Sequence, residues 1–306
     1  AYEIRPRDWS SDVCSSDLKA FEAKYGIKVS YTRNTATQLV LKVINEAKAN
    51  RREVDVIDGT FSVSALKKEG VTLKWTPDTA KDFPKDVIDP EGYWTATNVY
   101  VATPAINTDL IKPADEPKTL ADLANPKWKG RIVWSVVPGI ATGAGFVAAV
   151  IKQEGEAKAR AFFAELAKQN VVGVGFPART VLDQIVTGEY SIMLQNFNSQ
   201  AVVVAAKGAP VKWLPISPAT LALTAASVVK DAPHPNAARL LVDFLVSPEG
   251  QTIFRDLDYV PASPAVPPKD PGVRPDGRTL RAQAFTPEEI DAEMPKWTEI
   301  FNEYFR

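Results

Sequence analysis

The chain has 306 residues, 45% hydrophobic and 24% charged, which is enough to bury the core of one large or two ordinary domains. Its 36 basic and 37 acidic residues nearly cancel, so no polycationic surface is offered to nucleic acid or to an anionic membrane. One cysteine, one histidine and two methionines exclude a disulfide framework and a Cys- or His-rich metal centre, and no apolar run approaches the roughly 18–20 residues that span a bilayer.

Catalytic side chains are correspondingly scarce. A histidine base could only be His234 and a thiol nucleophile only Cys14. The first residues, AYEIRPRD, lack the apolar core of a secretory signal, as a mature exported protein also would.

From Lys19 onward helix and strand alternate. KAFEAKYG reads as the end of a helix stopped at Gly26, and IKVSYTR alternates as a strand. LVLKVINEAKAN sets Leu39, Val40, Val43, Ile44 and Ala47 on one helical face. VDVIDG is a short buried strand, FSVSALKKEG a helix closed by Gly70, and RIVWS (Arg131 to Ser135) a further strand. The middle repeats this grammar: two helices around Gly155, the strand VVGVGF, the helix ARTVLDQIVTGE, the strand YSIMLQ, the helix SQAVVVAAKGA and the strand VKWL. Such a recurrence predicts an α/β sheet with both faces covered.

Toward the end, PHPNAARLLVDFLVSPEGQTIF predicts two helices, the first with Pro235 in its opening turn and the second with Ser247 as N-cap before Pro248. VPASPAVPPKDPGVRPDG is too proline-rich for helix or central strand and reads as an extended crossing. The last helix opens with a capping box from Thr286 to Glu289 and offers Trp297, Ile300, Phe301, Tyr304 and Phe305 as core.

Taken together and in order, FEAKYGIKV, EVDVIDG, INTDLI, TLADLANPKWKGRIVWS, GEYSIM and KDAPHPNAARLLVDFLVSPEGQ resemble the landmarks of the periplasmic solute-binding proteins of ABC importers, in their ferric-ion-type branch. The resemblance runs from about Lys19 to the C-terminus. It implies an α/β, type II two-lobed fold with two crossing strands as hinge, ligand in the cleft between the lobes, and hinge closure before docking on an inner-membrane permease. It places residues 19–101 and 217–306 in the first lobe and 102–216 in the second, with crossings near VYVAT (Val99 to Thr103) and PISPAT (Pro215 to Thr220). It further implies a periplasmic or membrane-anchored extracytoplasmic monomer that uses no cofactor and performs no catalysis.

One stretch departs from that pattern. DWSSDVCSSDL, from Asp8 to Leu18, stands where the family has a buried strand, a polar loop and the start of a helix. It resembles one reading frame of a widely used sequencing-library adapter, which implies that Asp8–Leu18 is foreign, within an N-terminal stretch 1–18 that is artefactual, and that Cys14 has no functional meaning. The alternative reading is a natural Ser/Asp-rich loop with Ser16 or Asp17 as helix N-cap. The family's first strand and any ligand contact from its first loop are then replaced, with AYEI available as a substitute strand.

Receptors of this type hold ligand at helix N-termini, where free N–H groups and the helix dipole favour anionic or polar oxygen atoms. Three such places are readable. DGTFS offers Gly59, Thr60 and Ser62; PGIATGAG offers Thr142, Gly143 and Ala144; FPART offers the guanidinium fork of Arg179 to a carboxylate or phosphate. Arg33 and Thr35 end the first strand of the cleft side, and Asn98 and Tyr100 flank the first crossing.

Ferric-binding members carry an adjacent tyrosine pair after the GEY-type strand, because hard Fe³⁺ requires anionic phenolate oxygens. Aligned through Gly188 and Glu189, those two positions are Asn198 and Ser199, while Tyr190 is read within the strand. The expected ligand is therefore a small organic carboxylate, phosphate or polyol held by Asn196, Asn198 and the helix termini, with ferric iron as the alternative. An effector-sensing domain of the same fold is a second alternative, although no DNA-binding helix-turn-helix precedes it. An enzyme is a third, but no Ser–His–Asp set and no acidic metal cluster is recognisable. His234, in a turn before a helix, is read as a capping residue, and Trp128 as a packing anchor.

Overall fold

Short apolar strands between amphipathic helices need cover on both faces, and the computed structural model supplies it. It describes residues 3–4, 16–32, 36–59, 62–137, 142–275 and 277–305. In chain order the elements are β1 (Glu3–Ile4), α1 (Ser16–Tyr25), β2 (Lys28–Val29), α2 (Ala36–Lys48), β3 (Val56–Gly59), α3 (Ser62–Lys68), β4 (Thr95–Asn107), α4 (Leu120–Leu123) and β5 (Ile132–Ser135). Next come α5 (Gly143–Glu154), α6 (Glu156–Ala167), β6 (Val172–Val174), α7 (Ala178–Val186), β7 (Ile192–Phe197), α8 (Asn198–Ala205), β8 (Val211–Trp213) and β9 (Ala219–Val228). Then follow α9 (Pro235–Val246), α10 (Pro248–Asp256), β10 (Val260–Pro261), β11 (Ala282–Ala284) and α11 (Pro287–Phe305).

The chain divides into two compact units. Unit 1 holds residues 1–99, 223–269 and 285–288; unit 2 holds 100–222, 270–284 and 289–306. The chain thus passes between units within β4 and again within β9, and crosses three more times in its last 40 residues. The C-terminal helix was expected in the first lobe, but residues 289–306 belong to unit 2. The reason is aromatic: Trp134 of β5 lies 5.0 Å from the Phe301 ring and 4.6 Å from that of Phe305, and Phe163 lies 5.9 Å from Tyr304.

In unit 1, β3 pairs antiparallel with β9, Val56 opposite Val228 and Gly59 opposite Ala225. Alternate residues of β3 then face opposite sides. Val56 joins Leu18, Phe21, Leu241, Phe244 and Phe254, whereas Ile57 joins Leu39, Val43 and Leu66 under α2 and α3. Each such buried side chain contributes about 1.5–3 kcal/mol. The predicted strand IKVSYTR shrinks to Lys28–Val29, and β1 lies parallel to it with Ile4 beside Val29. Asp8–Ser15 lie outside the described residues; Ser16–Leu18 form the opening turn of α1, where Leu18 is buried beside Phe21 and its N–H donates to Asp17 Oδ1 at 2.8 Å.

His234 does not cap α9 with its side chain. Its backbone N–H donates to Asp55 Oδ1 at 2.7 Å, and its ring Nδ1 lies 3.1 Å from Asp55 Oδ2, so it instead ties the fully buried carboxylate of Asp55 to the start of that helix. Trp128 is an anchor as expected, buried with Nε1 donating to the Asp122 carbonyl at 2.9 Å.

In unit 2, β6, β5 and β7 are parallel neighbours, with Val133 opposite Val172 on one side and Met193 on the other. β4 runs antiparallel to β7, Thr103 opposite Asn196. Val133 and Met193 pack with Leu182, Ile185 and Val204 of α7 and α8, whereas Trp134 faces Phe146 and the C-terminal helix. β7 begins at Ile192, two residues later than the sequence pattern predicts, so Tyr190 precedes the strand.

Two substitutions test this packing. A Cβ on Gly250 would stand 2.2 Å from the Phe244 carbonyl oxygen and 2.9 Å from Leu245 Cα, backbone atoms that cannot swing aside. Gly250→Ala is expected to destabilise unit 1 by about 3 kcal/mol, at the upper end of overpacking costs, while Gly175→Ala, which meets nothing, leaves the denaturation midpoint unchanged. His234→Ala strips one partner from a buried carboxylate and should cost about 1–3 kcal/mol, read as a lowered thermal midpoint; an unchanged midpoint would show the ring to be dispensable.

Candidate functional site

Because β6, β5 and β7 are parallel, their carboxyl ends lie along one edge of unit 2, and α7, α5 and α8 all start just beyond it. Ligands of open α/β sheets bind at such an edge. There the first-turn N–H groups lack intrahelical partners, and the helix dipoles point positive ends outward. Topology therefore gathers at one edge six residues singled out in the sequence: Thr142, Gly143, Ala144, Arg179, Asn196 and Asn198.

They differ in what they do there. Thr142 stands at the N-cap position of α5 with extended backbone (φ −131°, ψ −173°), but its side chain does not bond back to the helix. Gly143 has a packing reason for lacking a side chain: a Cβ would lie 2.1 Å from Phe301 Cε2. Ala144 is buried next to it. Arg179, in the first turn of α7, is half-exposed and ion-paired with Asp183 one turn on, so its guanidinium fork is already engaged.

Asn196 and Asn198 are both buried. The Asn196 amide nitrogen lies 3.4 Å from Gln200 Oε1, while its carbonyl oxygen is buried with no partner among the described residues. Asn198 is the first residue of α8, followed by Ser199, also buried. Tyr100 of β4 stacks at 4.6 Å on Phe197, the last residue of β7.

Sequence reasoning missed Gln195. It is 1% exposed, and neither its amide nitrogen nor its carbonyl oxygen has a hydrogen-bond partner among the described residues. The Thr220 hydroxyl of β9 is likewise buried and unpaired. The available signal was the polar pair Gln195–Asn196 near the end of an otherwise apolar strand, since a buried amide left unpaired costs about 1–3 kcal/mol.

In unit 1, Gly59 ends β3 and α3 begins at Ser62. Asn98 is buried with its amide nitrogen unpaired. Beside it, the Thr97 hydroxyl lies 3.4 Å from the buried Asp58 carboxylate and 3.2 Å from the Thr224 carbonyl. Arg33, Thr35 and Thr60 lie outside the described residues. Among the described residues no three His, Cys, Asp or Glu side chains form a group able to hold a metal ion, and no helix is long and apolar enough to cross a membrane.

Comparison with known proteins agrees with this frame. An uncharacterized protein of Haemophilus influenzae is 26% identical over 251 residues, covering 79% of this chain and 71% of its own. Iron-bound HitA from Pseudomonas aeruginosa superposes with a TM-score of 0.80 at 22% identity, covering 99% of each chain. AfuA from Actinobacillus pleuropneumoniae, with fructose-6-phosphate bound, gives 0.76 at 21%, again over 99% of each. These likenesses show the two-lobed periplasmic-binding fold. The family model described as bacterial extracellular solute-binding protein matches residues 53–282. The chain therefore belongs to that family, the extracytoplasmic receptors of ABC-type importers, which bind small ligands and deliver them to a permease.

Proposed function

We propose that this receptor carries a small organic solute rich in hydroxyl groups, with a carboxylate or phosphate, rather than ferric iron. The observation that carries the reading is the junction of β7 and α8. Gln195, Asn196, Asn198 and Ser199 are all buried there and all neutral. A hard trivalent cation needs anionic oxygens. Amides and hydroxyls instead offer paired donors and acceptors, which match a hydroxyl group, and helix N-termini match an anionic oxygen.

The unpaired atoms sharpen this. The Asn196 carbonyl oxygen calls for a donor, and Gln195 offers both functions, so a ligand with only anionic oxygens would leave Asn196 unsatisfied. Of the two structural neighbours described above, one holds iron and the other a sugar phosphate; the donor set of this chain suits the second kind. The receptor would act as a monomer without a cofactor, passing its solute to an inner-membrane ABC permease, and would catalyse nothing.

A thermal-shift screen of sugar phosphates, polyols, carboxylates, phosphonates and ferric citrate tests the proposal. A hydroxylated organic anion should raise the melting temperature, with about 2.7 kcal/mol of stabilisation at a hundred times its dissociation constant. A shift with ferric citrate alone, accompanied by a visible phenolate-to-iron absorbance band, would overturn it. Once a ligand is found, Asn196→Ala and Asn198→Ala should each weaken binding by roughly tenfold to a hundredfold, as expected when a buried hydrogen bond is lost. Unchanged calorimetric affinity in both variants would place the ligand elsewhere.

A further inference from the structure

Unit 2 carries a second concavity. It encloses about 520 Å³, within the roughly 300–1,000 Å³ of small-molecule sites. Its lining includes Val150 and Glu154, in the second half of α5, whereas the strand-edge site lies at the start of that helix. At 1.5 Å per residue the two ends of α5 are roughly 16 Å apart, so the concavity is separate from the site described above.

Four cationic residues, Lys118, Lys158, Arg278 and Arg281, line it against the single carboxylate of Glu154. Arg281 pairs with that carboxylate at 3.8 Å and Arg278 is engaged in an interaction of its own, so the excess positive charge falls chiefly on the two lysines. Neither Lys118 nor Lys158 forms an ion pair among the described residues. The cations come from separate parts of the chain whose backbones are pinned. The N–H groups of Lys118 and Thr119 both donate to Asp122 Oδ2 at 2.9 Å, at the start of α4. The Arg281 N–H donates to Ser217 Oγ at 2.9 Å, and its carbonyl accepts from Ala219 at 2.9 Å. Lys158 stands in the first turn of α6. The same lining includes the apolar side chains of Leu120, Val150, Phe162 and Pro215.

We propose that this concavity is a second binding site, for a small amphiphilic organic anion: a phosphate or sulfonate on an aromatic or aliphatic body. Cations held close together repel one another, and an anion among them relieves that repulsion, with arginine forks suited to phosphate oxygens. The apolar body gains by covering these apolar side chains. A bare inorganic anion forgoes that second contribution.

Phenyl phosphate titrated calorimetrically into the full chain tests the proposal, with inorganic phosphate as comparison. The expected result is saturable binding of phenyl phosphate, stronger than that of inorganic phosphate and weakened by added salt. The double variant Lys118→Glu, Lys158→Glu should weaken it by roughly tenfold or more while leaving the thermal midpoint unchanged, since both side chains are exposed. Asn196→Ala should not affect it. The proposal is overturned by absence of saturable binding, by affinity indifferent to charge reversal, by equal binding of inorganic phosphate, or by loss of binding in Asn196→Ala, which would put the probe at the strand edge. The other three outcomes leave the solute of the strand-edge site, which the thermal-shift screen decides, untouched.

Discussion

β4 is buried along all thirteen of its residues yet carries five polar side chains, Thr95, Thr97, Asn98, Thr103 and Asn107. A buried polar group without a partner is costly, so the surroundings of this strand are set by hydrogen-bond demand as much as by packing. Thr103 donates to the Leu214 carbonyl at 2.6 Å, and Asn107 donates to that of Ile185 at 2.7 Å while accepting the N–H groups of Asp109 and Leu110. Thr97 reaches the Thr224 carbonyl on β9. A slip of one residue would turn these groups to the wrong faces together, so the register is held firmly. That register sets Thr103 opposite Asn196, and the place of the candidate site follows from it.

Two buried glutamines differ in how far the fold itself satisfies them. Gln251 is fully buried and satisfied: its amide nitrogen donates to the carbonyls of Thr97 and Leu245 at 2.7 and 2.8 Å, and its oxygen accepts from Ser263 at 2.9 Å. It binds β4, the last turn of α9 and the segment after β10 within unit 1, so both ends of its amide are satisfied inside the fold. Gln195 is as buried, and neither end of its amide is paired among the described residues. Composition cannot tell these residues apart. Only the accounting of donors and acceptors does.

The helices were legible because their apolar faces repeat at helical spacing and their ends carry Gly26, Gly70, Gly155 or the Ser247–Pro248 pair. The long strands were not. TATNVYVATPAIN and ATLALTAASV are buried on both faces and rich in alanine and threonine, so the alternation that announces a half-exposed strand is missing. The apolar face of the last helix was readable, but its partner was not, since the contact with Trp134 joins distant parts of the chain. For the same reason Gly143 reads as a ligand-facing turn in sequence and proves to be the place where Phe301 comes close. Helix starts could be found from local pattern; which of their residues are already spent on packing or on Asp183-type ion pairs could not.

The fold and the ligand chemistry rest on different atoms. The core of unit 2 is made by Val133, Leu182, Ile185 and Met193 on one face of its sheet and by Trp134, Phe146 and the C-terminal aromatics on the other. Gln195 and Asn196 stand just before Phe197, the last residue of the strand, and Asn198 and Ser199 open the helix that follows. The N-cap position of α8 is Phe197, so neither Asn198 nor Ser199 serves as its cap. Under the proposed reading, Asn198 and Ser199 stand where the ferric-binding proteins that the chain resembles carry a tyrosine pair, a change that would remove the anionic oxygens a ferric ion requires without touching the core residues named above. A scaffold matching an iron-bound protein at a TM-score of 0.80 is thus compatible with a site built for a hydroxylated solute. The residues at the strand end, and not the resemblance of the backbone, carry the argument about what is bound.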